Sequence, residues 1–167
     1  MCRIGSGGSG VGGGALRFGY VPRQARRELP DGVFHVTTRG VNGEAIVADD
    51  DDRRTFVRLL HRTVRRFGWR CYAYCLMTNH YHLLVESSRE RLSAGLCRLN
   101  GLYAQGYNKR HGRRGHLFGD RFSAFIVERE EHFEAASRYI LLNPVRAEMC
   151  ETARDYPWSD SYFGKDV

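Results

Sequence analysis

Trp69-Arg70-Cys71-Tyr72-Ala73-Tyr74-Cys75-Leu76-Met77, Thr78-Asn79 and His80-Tyr81-His82-Leu83-Leu84-Val85-Glu86 read as two apolar runs joined by a polar pair. Each run is short, aromatic or aliphatic in character, and bounded by turn residues, which predicts a strand, a tight turn and its hairpin partner. Side chains alternate across a strand, so His80 and His82 leave one face together while Tyr81 enters the layer that packs on the helices. Two imidazoles on one face make a start for a divalent metal site. Two histidines satisfied by backbone carbonyls on a half-exposed strand would give the same spacing. Cys71 and Cys75, four apart, are expected to share a face and to act as small buried hydrophobes.

Towards the N-terminus, Val33-Phe34-His35-Val36-Thr37-Thr38-Arg39 is a further strand, broken at Asn42-Gly43. Asp49 to Asp52 supply the caps and negative charge that a helix start favours. Phe56, Leu59, Leu60, Val64 and Phe67 then recur at helical spacing up to Gly68. Towards the C-terminus, a helix is expected over 89–111, although Gly95, Gly101 and Gly106 weaken it. A loop rich in glycine and arginine follows, then a strand over 122–128. A helix over 131–142 stops at Asn143-Pro144, and Tyr156-Pro157-Trp158 packs back irregularly. The order βαββαβ plus a trailing helix predicts an α+β, ferredoxin-like fold, with a central antiparallel sheet and helices mainly on one face.

The 167 residues suffice for one domain with its own core. That domain is expected over 31–167, behind a disordered, glycine- and arginine-rich tail over 1–30. The formal net charge of +7 carries an arginine excess, and the planar guanidinium fork suits phosphate oxygens, so a polyanionic partner is expected. Five cysteines without CxxC or framework spacing speak against a disulfide scaffold. With no apolar run of membrane-spanning length and no signal-peptide core, a cytoplasmic protein with reduced thiols is expected.

Several segments together resemble a family. Met77-Thr78-Asn79-His80-Tyr81-His82-Leu83-Leu84-Val85 is similar to the HUH segment of single-tyrosine HUH transposases. Phe34-His35-Val36-Thr37-Thr38-Arg39-Gly40, Gly115-His116-Leu117-Phe118 with Arg121-Phe122, Tyr139-Ile140 with Leu142-Asn143-Pro144-Val145-Arg146-Ala147, and Tyr156-Pro157-Trp158-Ser159 resemble its REP-associated tyrosine transposase branch. The resemblance runs over about residues 30–163 in order. Glu148 departs from it, standing where a glycine is expected.

The resemblance implies nicking and rejoining of single-stranded or hairpin DNA through a 5′-phosphotyrosine, with Mg2+ or Mn2+ as cofactor and a bacterial, nucleoid-associated setting. It implies His80 and His82 as metal ligands and a nucleophile on the 89–111 helix. There Tyr103 matches best, and Tyr107, four residues on, shares its face. Asn108 is the expected third ligand, with Gln105 and Glu128 as alternatives. Lys109, Arg110, Arg113, Arg114, His116 and Arg121 form a basic, glycine-spaced cluster expected to contact phosphates. Tyr107, Phe118 and Trp69 are candidates for stacking on unpaired bases. A homodimer and a monomer both remain open. Two other readings compete: a hairpin-binding protein without turnover, and a zinc hydrolase that activates water.

Overall fold

The computed structural model describes residues 31–119, 122–128, 130–162 and 164–166, so the tail expected over 1–30 lies outside the described residues. The elements are β1 (Gly32–Arg39), α1 (Asp50–Phe67), β2 (Arg70–Leu76), β3 (His80–Ser87), α2 (Arg89–His111), β4 (Ser123–Ile126), α3 (Glu130–Leu141), a short α4 (Asn143–Arg146) and β5 (Ser159–Ser161). The sheet is antiparallel, in the order β4-β1-β3-β2-β5. Its first four strands carry the expected ferredoxin-like βαββαβ arrangement. Tyr156-Pro157-Trp158 is irregular, as expected, but the stretch continues into an unexpected edge strand, β5, beside β2.

Local chemistry fixes the long helices. The Asp49 carboxylate accepts from the amides of Asp51 and Asp52 at the start of α1, a cap worth about 1 kcal/mol. Gly68 closes α1 in the left-handed region at φ 63°, as expected for a helix-ending glycine. Ser88 caps α2, which runs unbroken to His111 despite its three glycines. One of these is required: a Cβ on Gly95 would lie 2.2 Å from the indole of Trp69.

The two faces of the sheet are packed differently. On one, Phe34, Val36, Tyr81, Leu83 and Val85 meet Phe56 and Leu60 of α1 and Leu92, Leu96 and Leu99 of α2. Burial of each such side chain contributes about 1.5–3 kcal/mol. On the other, Ala73, Cys75 and Leu84 meet Ala136 and Ile140 of α3. Thus α1 and α2 share a face as expected, and the trailing helix crosses to the opposite one. There it packs on β2, β3 and β5, at the other end of the sheet from β4.

Cys71 and Cys75 do not share a face. A register shift between Cys71 and Ala73 sets Cys71 against Val85 and Cys75 against His82, and the two thiols pack into different cores. An extra residue in a strand reverses the alternation beyond it. Glu148 sits at φ 55°, a left-handed conformation in which glycine is unstrained, which accounts for the glycine expected there.

Candidate active site

Residues directly opposite in an antiparallel pair share a face. The β1–β3 register sets Thr37 against His82 and Arg39 against His80, and the β2–β3 register adds Cys75. His35 lies two residues back on β1, so His35, Thr37, Arg39, His80 and His82 all leave the face that α3 covers. The rings of His80 and His82 are 5.0 Å apart, and those of His35 and His82 5.2 Å. His82 is 6% exposed and His80 half-buried.

Each ring of the pair has one nitrogen engaged. His80 Nδ1 lies 2.7 Å from Asn79 Oδ1. His82 Nδ1 lies 3.0 Å from both Thr37 Oγ1 and His35 Nε2. Burial lowers the pKa of His82 to about 3, with His35, His80 and Arg39 adding to the effect, and that of His35 to about 4. His80 is lowered in the same sense by burial and by Arg39. All three imidazoles are therefore neutral near pH 7, the form in which imidazole ligates metals. Among the described residues no three His, Cys, Asp or Glu side chains form a set that could hold a metal.

The turn carrying His80 is anchored by the segment after β1. The Gly40 amide donates to the Asn79 carbonyl, the Ile46 amide to the Thr78 carbonyl, and the Asn79 side-chain amide to the Gly43 carbonyl. A Cβ at Gly40 would fall 2.1 Å from the Glu44 carbonyl oxygen, so this approach requires glycine.

A tyrosine does reach the histidines, from α3. The Tyr139 ring centroid is 5.8 Å from that of His82 and 5.9 Å from that of His35, edge-on to both, and the Arg146 guanidinium lies 4.9 Å over its face. The expected nucleophile, Tyr103, is not brought to the pair. It belongs to the helical layer on the Tyr81 side of the sheet, is 1% exposed, and donates its hydroxyl to the Ile46 carbonyl at 2.7 Å. Burial, with Asp52 and Tyr107, pushes that phenol well above its usual range. Tyr107 is buried in the same layer, against His111.

The expected third ligands are also apart from the pair. Asn108, on α2, donates to the Gly115 carbonyl, and Gln105 lies on the same helix. Glu128 follows the end of β4, whereas Ser123 at its beginning pairs with Thr37 in the row of His82. Glu128 stands five positions beyond Ser123, roughly 17 Å along an extended chain.

The basic cluster divides. Arg110 is bound to Asp49 and Asp52 at 2.6 Å, and Arg113 to Glu44 at 2.6 Å. Lys109, Arg114 and His116 are exposed, and Arg121 lies outside the described residues. The loop's far end returns to the sheet: the Val41 amide donates to the Leu117 carbonyl, and the Gly119 amide to that of Arg39. This brings the loop to the end of the sheet at which β1 stops and β3 begins with His80. Trp69 and Tyr107 are buried and Phe118 half-buried, so the first two are closed to stacking on bases.

Sequence reasoning missed Phe125, which is 52% exposed. It lies directly opposite His35 on β4, on the histidine face. A large aromatic on a four-residue edge strand, with Ala124 and Ile126 turned into the core, is the signal that marks it. Tyr139 was visible too, within Tyr139-Ile140 and Leu142-Asn143-Pro144-Val145-Arg146-Ala147, but spacing along the chain does not reveal which face α3 will cover.

The profile of a family described as Transposase IS200 like matches residues 32–143, the stretch from β1 to the start of α4. Among solved structures, a REP-associated tyrosine transposase bound to a REP hairpin gives a TM-score of 0.65 at 14% identity, over 78% of this chain and 77% of that one. At that identity the likeness is one of fold. A putative transposase from Deinococcus radiodurans R1 gives a TM-score of 0.49 at 13% identity, over 77% of this chain and 92% of that one. The comparison with curated proteins gives no significant match. No helix among the described residues is long and apolar enough to cross a membrane. The family profile spans most of the chain, including the strand with the histidine pair and the helix with Tyr139, and the chain belongs to the IS200-like transposases.

Proposed function

We propose that the protein nicks and rejoins single-stranded or hairpin DNA, with Tyr139 in place of Tyr103 as the nucleophile. The observation that carries this reading is the convergence of Tyr139 from α3 with His80 and His82 from β3 on one face of the sheet. The Tyr139 oxygen attacks the scissile phosphorus and loses its proton. The bond from phosphorus to the 3′ oxygen breaks, and that oxygen takes up a proton. The products are a 5′-phosphotyrosine and a free 3′-hydroxyl. Attack by another 3′-hydroxyl reverses the step and joins the strands.

The donor set suits a divalent metal in an open site: two neutral imidazoles whose Nδ1 atoms are engaged, leaving both Nε2 atoms as ligands. Mg2+ or Mn2+ held by His80 and His82 would supply Lewis-acid polarisation of a phosphate oxygen. Exposed Lys109, Arg114 and His116, and Arg121 of the same cluster, are proposed to bind phosphates, while Arg110 and Arg113 brace the loop through their ion pairs. Phe125 offers a ring on which an unpaired base can stack beside the site. The fold likeness to a protein bound to a REP hairpin favours a hairpin over an unstructured strand.

The test is incubation with hairpin-bearing single-stranded DNA and Mn2+, followed by denaturing electrophoresis. The wild type and Tyr103→Phe should form a covalent adduct and Tyr139→Phe none. An adduct that survives Tyr139→Phe overturns the assignment. Binding without an adduct in the wild type favours a hairpin-binding protein without turnover, and cleavage without an adduct favours a hydrolase.

A further inference from the structure

We infer that His35 is a positioning residue that sets the tautomer of His82; this deepens the strand-transfer reading and rests on it. A neutral imidazole carries one N–H and one bare nitrogen. To ligate through Nε2, His82 must keep its proton on Nδ1, and that proton needs an acceptor. Two groups stand 3.0 Å from Nδ1: Thr37 Oγ1 and His35 Nε2. A hydroxyl donates or accepts equally well, so Thr37 follows whichever tautomer is present. His35 is the acceptor in the tautomer that carries its own proton on Nδ1: its Nε2 then only accepts, and His82 is held with Nε2 bare.

His80 shows the same arrangement. Asn79 donates its amide nitrogen to the Gly43 carbonyl, which turns Oδ1 towards His80 Nδ1. An amide oxygen only accepts, so His80 is held with its proton on Nδ1. The two imidazoles thus have equivalent partners, a carboxamide from the turn for one and a third histidine from β1 for the other. Partners of this kind orient a ligand ring and raise its basicity, and their removal typically costs 10–100-fold in metal affinity. The His35 ring also meets Tyr139 edge-on, so one side chain touches both the proposed ligand and the proposed nucleophile.

The experiment is long-range 1H–15N NMR of the metal-free protein near neutral pH, with Mn2+ titration calorimetry alongside. The wild type should show His82 protonated on Nδ1. His35→Leu should move the proton to Nε2 and weaken Mn2+ binding about tenfold or more. His35→Gln, whose side-chain oxygen accepts in place of Nε2, should restore most of both. An Nε2-protonated His82 in the wild type overturns the inference, and that measurement decides even if His35→Leu does not fold. So does a folded His35→Leu with unchanged tautomer and affinity. A wild type that forms the DNA adduct while His35→Leu matches it in both readouts sinks this inference alone. A wild type with the expected tautomer but no adduct sinks strand transfer and leaves the tautomer assignment standing.

Discussion

The two faces of β3 pack against different partners and leave their tyrosines in different states. Its Tyr81 side is closed: Tyr81 donates to Asn100, accepts from Thr38 and stacks near Phe56, and Tyr103 behind it is tied to a backbone carbonyl. Its His82 side is covered by α3 over β2, β3 and β5, and Phe125 stands exposed on β4. A hydroxyl that is fully bonded inside a core stabilises the fold and is unavailable for chemistry. Tyrosine content therefore says little about reactivity here, and the face on which a tyrosine lies says a great deal.

Substitutions on the two faces should separate stability from DNA chemistry. The largest effect is expected from Leu83→Ala on the closed face, which should cost roughly 2–5 kcal/mol, read as a lower urea midpoint at unchanged slope. A loss under about 1 kcal/mol would mean that this face is not the main core. On the histidine face, Phe125→Ala at the exposed edge strand should leave stability within about 0.5 kcal/mol. It should weaken single-stranded DNA binding by about 1–3 kcal/mol in fluorescence anisotropy; unchanged affinity would remove the stacking role.

The helical layer also carries a pH dependence. Burial alone would raise the Asp52 pKa, but hydrogen bonds from the Ala48 amide, His111 and Arg110 outweigh it and hold the carboxyl below its usual range. With the folded value below the unfolded one, this contribution is full above the ordinary carboxylate pKa and is lost as pH falls through it and below. Asp52→Asn should thus lower stability by about 1.5 kcal/mol near neutral pH and converge with the wild type in acid. Parallel curves at all pH values would contradict it.

Much of the fold was legible because local signals agreed. Asp49 and Gly68 bracket α1 with a cap and a left-handed stop, and the alternation of His80, Tyr81 and His82 gives the right faces for all three. The strand Ser159–Ser161 was not legible, since three polar residues carry no alternation, and its pairing comes from β2. The bulge near Tyr72 was hidden too, because it is a feature of pairing and not of one strand. The site was half legible. The histidine pair follows from a two-residue period, but the choice among tyrosines depends on which face α3 covers after β4. Tyr103 and Tyr107 are near the histidines in sequence and across the sheet in space.

The order β4-β1-β3-β2-β5 places β3 at the centre, with two strands on either side. The amide protons of β3 are shielded by β1 on one side and β2 on the other, so the histidine pair is carried by a strand that opens only when a flanking strand lets go. Tyr139 comes from a helix beyond the sheet, joined to it by packing and not by the ladder. The imidazoles and the phenol are therefore governed by different clocks, and the spacing of the first survives excursions of the second.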